Sequence, residues 1–277
     1  MSDPVLKLIE LAIAEDLDGG VDITSNATIP EAQESVAEFI NRQSGVVAGT
    51  SVAEAVLGYV GISDVSLLIS DGQFVPAGTL IMEARGNTRK LLLAERTALN
   101  FLTHLSGIAT ETRRWVEAIS STHCQIRDTR KTTPGWRTLE KAAVRAGGGT
   151  NHRLSLSDAA LIKDNHIVAA GGVLAAFELV RKQYPDKEIE VEVDNFQQLH
   201  DVLQAQPDLI LLDNMSPELC REAVTIVAGR VKLEASGGIT LGNALQYAQS
   251  GVDYLAVGAL THSAKALDIG LDLKMGI

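Results

Sequence analysis

Apolar residues recur at helical spacing over residues 4–16, where Val5, Leu8, Ile9, Ala12 and Ile13 share one face. An amphipathic helix capped by Asp3, with Pro4 in its first turn, is therefore expected at the start of the chain. The following LDGGVDITSNATIP carries Gly19, Gly20 and Pro30 and cannot continue it. Residues 35–41, 65–70 and 79–84 alternate or run apolar, as strands do, and 51–59 reads as a helix. Residues 90–119 are strongly helical, with an interruption near Ser106 and Gly107 that predicts two helices or a bend. These elements predict an N-terminal α/β, sandwich-like domain over residues 1–106, onto which residues from about 266 to 277 pack back.

From Cys124 the pattern changes. Short β-rich runs over 124–130, 159–163, 189–193, 209–213, 231–236 and 254–258 end in polar residues, and helical stretches separate most of them. The spacings between the later strand ends, from Lys163 to Glu192, Asp213, Ser236 and Gly258, are 29, 21, 23 and 22 residues. A period of that size holds one strand and one helix, and consecutive βα units build a parallel sheet. No glycine-rich dinucleotide turn follows the first strand, which favours a barrel over a doubly wound sheet. Six strands are fewer than the usual eight. Residues 107–265 are thus expected to form an open, incomplete α/β barrel, completed by a lid or a neighbouring subunit.

Composition narrows the classes. A chain of 277 residues with 45% apolar content can bury a sizeable core. Its formal charge of −11 and 4% aromatics argue against nucleic-acid or anionic-membrane partners. The N-terminus has acids where a signal peptide has basic residues, and no run reaches the ~18–20 apolar residues of a membrane span, so a cytoplasmic protein is expected. Cys124 and Cys220 match neither a disulfide framework nor a zinc site.

Against this acidic background, residues 127–166 carry eight Lys/Arg and only four acids, a local +4 that leaves −15 elsewhere. A basic island in an acidic protein has an anion to hold. In βα barrels chemistry sits at the carboxyl ends of strands. Here those ends read Arg130 and Lys131, Lys163, Glu192, Asp213, Ser236-Gly237-Gly238 and Gly258. Arg130, Lys131, His152, Arg153 and Lys163 form a cationic zone suited to a small dianion. Glu192 and Asp213 form a carboxylate zone that would bind a hard divalent cation or ribose hydroxyls, or else pair with Lys163 or Arg153. The glycine turns Ser236–Thr240 and Val257–Leu260 would bind a phosphate through backbone N–H groups, or simply turn the chain. Arg127, Arg137, Lys141 and Arg145 are assigned to the surface or to phosphate steering, and Arg96 reads as an exposed helix charge.

The motifs DTRKTTPGWRTLEKAAVRAGGGTNHR, LIKDNH, EVEVDN, LLDNMSP, ASGGIT and GVDYLAVGALTHS resemble those of the quinolinate phosphoribosyltransferase family, as do EDLDGGVDITS and ERTALNFLTHLSGIAT. The resemblance covers nearly the whole chain in order. It implies transfer of phosphoribosyl from phosphoribosyl pyrophosphate to quinolinate, with decarboxylation to nicotinate mononucleotide and with Mg2+ as cofactor. It implies that Thr129, Arg130, His152, Arg153 and Lys163 hold quinolinate, with Arg96 reaching in from the other subunit of a homodimer or of a higher oligomer built from it. Lys131, Glu192 and Asp213 are then the catalytic residues facing phosphoribosyl pyrophosphate, Glu192 and Asp213 also touching the metal, directly or through water. Ser236, Gly237, Gly238, Gly258, Ala259 and Leu260 would hold the 5′-phosphate. Rival readings are a paralogue acting on another aromatic acid, a non-catalytic phosphate-ligand binder, and an aldolase using Lys163 as a Schiff base.

Overall fold

The computed structural model describes residues 4–275; the expected Asp3 cap lies outside them. Two units make up the chain, one from Met1–Glu111, Thr133–Gly148 and Ser263–Ile277, the other from Thr112–Thr132 and Gly149–His262. The segment Thr133–Gly148 falls within the range read from the sequence as barrel, yet it groups with the first unit. Trp136 explains the grouping, since its ring stacks on Phe101 at 4.4 Å and meets the edge of His104 at 5.3 Å.

In the first unit the strands β1 (Glu34–Asn41), β3 (Asp64–Leu67) and β5 (Leu80–Asn87) lie close to the predicted runs, and the two-residue strands β2 (Gly45–Val46) and β4 (Phe74–Val75) pair with each other outside those runs. A later strand from the C-terminal segment, Ile269–Met275, completes an antiparallel sheet in the order Ile269–Met275, β1, β5, β3. That strand runs beside β1 from Ser35↔Met275 to Asn41↔Ile269. The helix Thr50–Tyr59 is capped from a distance, because Asp71 accepts the Gly49 and Thr50 N–H groups at 2.8 and 3.1 Å.

Of the two readings at Ser106 and Gly107, that of two separate helices is overturned, since one helix runs from Thr88 to Ala118. Leu91, Ala94, Ala98, Leu102, Leu105 and Ala109 recur on its buried face. Gly107 has a packing reason: a Cβ there would lie 2.2 Å from the Lys265 carbonyl oxygen. Lys141 also departs from the surface assignment, for it is fully buried on the helix Arg137–Ala146.

The second unit holds β6 (Gln125–Arg127), β7 (Ala160–Ile162), β8 (Ile189–Val193), β9 (Leu209–Asp213), β10 (Lys232–Ser236) and β11 (Tyr254–Ala256). They form one parallel sheet in the order β6-β11-β10-β9-β8-β7. Val191, Val193, Ile210, Leu212, Leu233, Ala235 and Leu255 are buried on one set of alternating positions. Among the described residues no ladder joins β6 to β7, so this is an open α/β barrel. Beside β6, Thr150 makes a parallel bridge to Arg127, and its N–H donates to the Ile126 carbonyl at 2.8 Å. That bridge carries the loop holding His152 and Arg153 to the barrel. β12 is the strand Ile269–Met275 already described.

Candidate active site

Period-two alternation decides which side chains face the barrel axis. On β8 Glu190 and Glu192 share a face, and Asp194, which the sequence groups with them, lies beyond the strand and is exposed. The register sets Asp213 beside Ser236 and Glu192 beside Leu211. The result is a cavity of about 400 Å³ lined by Thr129, Arg130, Lys131, His152, Arg153, Lys163, Glu192, Asp213 and Ser236, together with Leu161, Leu211, Glu234 and Ala256.

Nine residues singled out from the sequence therefore converge on one hollow. Arg96 does not line it and is exposed on the helix Thr88–Ala118. Gly237, Gly238, Gly258, Ala259 and Leu260 are also outside the lining, and the Leu260 side chain is buried in the core. Gly237 and Gly238 have positive φ values, +87° and +62°. A Cβ on Gly237 would fall 2.1 Å from Asn214 Oδ1, so only glycine fits that turn.

The loop carrying the cationic zone is pinned by Asp128, fully buried, whose carboxylate accepts the His152 N–H at 2.9 Å and Asn151 Nδ2 at 2.5 Å. The Nε atoms of Arg130 and Arg153 are buried without hydrogen-bond partners. Burial, followed by the like charge of Arg130, lowers the Arg153 guanidinium below its ordinary value. Two guanidiniums gathered in this way, with donors unspent, make a receptor for an anion with more than one carboxylate.

Lys163 Nζ donates to Glu192 Oε2 at 2.5 Å, one of the pairings the sequence left open. Asp213 Oδ2 accepts from Asn214 Nδ2 at 2.7 Å. Lys131 is exposed, its carbonyl held by Thr261 Oγ1 at 2.7 Å and its side chain lying against Gly258. Glu192 and Asp213, on neighbouring strand ends, offer the hard oxygen donors that magnesium prefers.

Family models match almost the entire chain: "Quinolinate phosphoribosyl transferase, N-terminal domain" over residues 22–106 and "Quinolinate phosphoribosyl transferase, C-terminal domain" over residues 108–272. The chain belongs to the quinolinate phosphoribosyltransferase family. It is 49% identical to the nicotinate-nucleotide pyrophosphorylase [carboxylating] of Mycobacterium leprae over 277 residues, 98% of each chain. It is 40% identical to the probable nicotinate-nucleotide pyrophosphorylase [carboxylating] of Bacillus subtilis, covering 97% of this chain and 93% of that one. Among solved structures, the nicotinate-nucleotide pyrophosphorylase of Francisella tularensis superposes with a TM-score of 0.94 at 42% identity, covering 98% of this chain and 96% of that one.

Within this family member, sequence reasoning missed Asp128, Glu234 and Arg127. Arg127, assigned to the surface or to phosphate steering, instead points inward, where its Nη1 donates to Glu234 Oε2 at 2.6 Å and its guanidinium lies over the Tyr254 ring at 4.2 Å. Glu234 had a readable signal, since it shares the inward face of KLEAS with Ser236. Both cysteines are free and buried, and burial pushes each thiol up to about 12, so neither offers a nucleophile at neutral pH.

Proposed function

We infer that this chain transfers phosphoribosyl from phosphoribosyl pyrophosphate to quinolinate and releases CO2, giving nicotinate mononucleotide and pyrophosphate in NAD biosynthesis. The observation that carries the reading is the half-buried pair Arg130 and Arg153, each with a buried, unpartnered Nε, sharing one cavity with Lys163, Glu192 and Asp213.

Arg130, Arg153 and Lys163 hold the two carboxylates, with Thr129 and His152 completing the wall. Lys131 and the Glu192–Asp213 edge face the sugar and its leaving group. Ser236, Gly237, Gly238, Gly258, Ala259 and Leu260 receive the 5′-phosphate on their turns. Breaking the anomeric bond builds positive charge on the sugar and negative charge on pyrophosphate, so fixed charge is the main lever. Lys131 offsets the negative side, and Glu192 or Asp213 the positive. Glu192 and Asp213 would hold magnesium, directly or through water, and the ion would supply charge neutralisation for the pyrophosphate. The pyridine nitrogen is the nucleophile, so no protein nucleophile is required. Once quaternised, that nitrogen accepts the electron pair left as the 2-carboxylate departs.

The working unit in this reading is a homodimer, in which exposed Arg96 of one subunit completes the cavity of the other. Excluding water protects the activated sugar from capture. Two free cysteines suit a reducing, cytoplasmic setting, and no described helix is long and apolar enough to cross a membrane. The test is pyrophosphate release from phosphoribosyl pyrophosphate with quinolinate or with nicotinate, with CO2 followed in the quinolinate arm. Quinolinate should be strongly preferred, and equal or better use of nicotinate would defeat the assignment.

A further inference from the structure

At and beneath the cavity wall, Glu190 and Glu234 are buried carboxyl groups to which the reaction above gives no task. His152 lies at the boundary, 9% exposed, with Glu190 and Glu234 below it at 5% and 0%. His152 Nδ1 accepts the Arg153 N–H at 2.7 Å. His152 Nε2 lies 2.8 Å from Glu190 Oε2 and 3.5 Å from Glu234 Oε1. The second oxygen of Glu234 is taken by Arg127 at 2.6 Å.

The hydrogen bonding fixes where the ring proton sits. A peptide N–H can only donate, so Nδ1 is the acceptor nitrogen and the ring proton is on Nε2, aimed at the carboxylates. The donor atoms of His152, Glu190 and Glu234 lie within 4.8 Å of one another, close enough to suggest a metal ion. A metal would need a lone pair on Nε2, and the single lone pair of the ring is already committed at Nδ1. His152 and Glu190 therefore form a hydrogen-bonded strut and not an ion site, with Glu234 Oε1 beside them unpaired.

What the strut supports is the next residue along. Apart from its main chain, Arg153 is anchored through Nη1 donating to the Ala159 carbonyl at 2.9 Å, while its Nε is buried without a partner. The direction in which its guanidinium enters the cavity then depends on the peptide that His152 grips. We propose that Glu190 is a positioning residue for quinolinate, holding His152 from below so that its Nδ1 fixes the Arg153 peptide. The proposal rests on the reading of the cavity as the quinolinate site. It assigns Glu190 to ground-state binding of a carboxylate, which moves KM and not kcat.

The test uses the whole chain. Glu190→Ala should raise KM for quinolinate about tenfold, with kcat and KM for phosphoribosyl pyrophosphate within about twofold of the parent. Glu190→Gln, whose amide oxygen still accepts from Nε2–H, should stay close to the parent. Arg153→Ala serves as the reference for loss of the arginine itself. An unchanged quinolinate KM in Glu190→Ala, with Arg153→Ala raising it, overturns the proposal. No effect of Arg153→Ala on quinolinate KM removes the reading of the cavity, and the proposal with it. Independently, histidine-ring 15N spectra of the unaltered, ligand-free chain should show His152 as the Nε2–H tautomer, its signal identified by its loss in His152→Gln. An imidazolium or an Nδ1–H ring overturns the proposal, and this spectrum decides alone if Glu190→Ala does not fold.

Discussion

Lys163 Nζ and Glu192 Oε2 meet at 2.5 Å across the neighbouring strand ends of β7 and β8, joining the cationic zone of the cavity to its carboxylate zone. The lysine side chain is 45% exposed, so the pair adds under about 1 kcal/mol to stability. Its weight falls on substrate handling. Lys163→Ala should leave the thermal midpoint nearly unchanged while lowering kcat/KM for quinolinate about ten- to hundredfold, the range for losing a charge-assisted hydrogen bond. Steady-state kinetics and a melting curve on the same preparation check both halves, and a large drop in midpoint would reassign the pair to structure.

The proposed sharing of the site between two subunits makes a prediction about mixtures. Arg96→Ala and Lys131→Ala should each be nearly inactive alone. In a heterodimer of the two, one cavity carries both defects and the other carries neither. After subunit exchange of equal amounts, about a quarter of parental activity should return. If Arg96 served its own subunit, every cavity in the mixture would stay defective and nothing would return.

The helix Thr88–Ala118 carries a second contrast. Alanine for glycine inside a helix normally stabilises by about 0.5–1 kcal/mol. Gly58, in the helix Thr50–Tyr59, has nothing within 4 Å of an added Cβ, and Gly58→Ala should follow that rule. Gly107 faces the Lys265 carbonyl oxygen at 2.2 Å and the Ala266 Cα at 3.0 Å, both backbone atoms. Gly107→Ala should instead destabilise by about 1–3 kcal/mol. Denaturant unfolding of both variants checks the difference in sign.

Gly107 also marks where the sequence stops being readable. Read alone, a Ser-Gly step inside a helical run signals a bend; the contact that makes glycine necessary comes from residues 265 and 266, more than 150 positions away. The strand ends were legible because alternation and the βα period are local, and so eight chemically chosen residues, with Thr129 from the family resemblance, met in one cavity. Arg127 and Lys141 were misplaced because formal charge does not reveal burial. Lys141 is fully buried, and Arg127 turns inward only because Glu234, 107 residues on, awaits it. The strut of His152 and Glu190 joins a loop to β8, and Glu234 comes to its side from β10, which is not a neighbour of β8, a meeting that no spacing rule encodes. The C-terminal strand Ile269–Met275 did alternate, but its partner β1 lies at the other end of the chain.

The last prediction concerns pH. Burial, and next the charge of Glu190, push the Glu234 carboxyl up to about 7, from an ordinary value of 4.5. Between these values the folded chain binds more protons at this residue than the unfolded chain does, so stability falls as pH rises. The contribution is full below 4.5 and is lost through about 7. Glu234→Gln keeps an oxygen for Arg127 and removes the titration. The midpoint of the parent minus that of Glu234→Gln should therefore shrink between pH 5 and pH 8, as read by thermal melts in matched buffers. Arg127, His152 and Glu190 face the same carboxyl and are common to both proteins, so the difference isolates Glu234. A difference that stays flat or grows with pH would mean that Glu234 is ionised throughout, held so by Arg127.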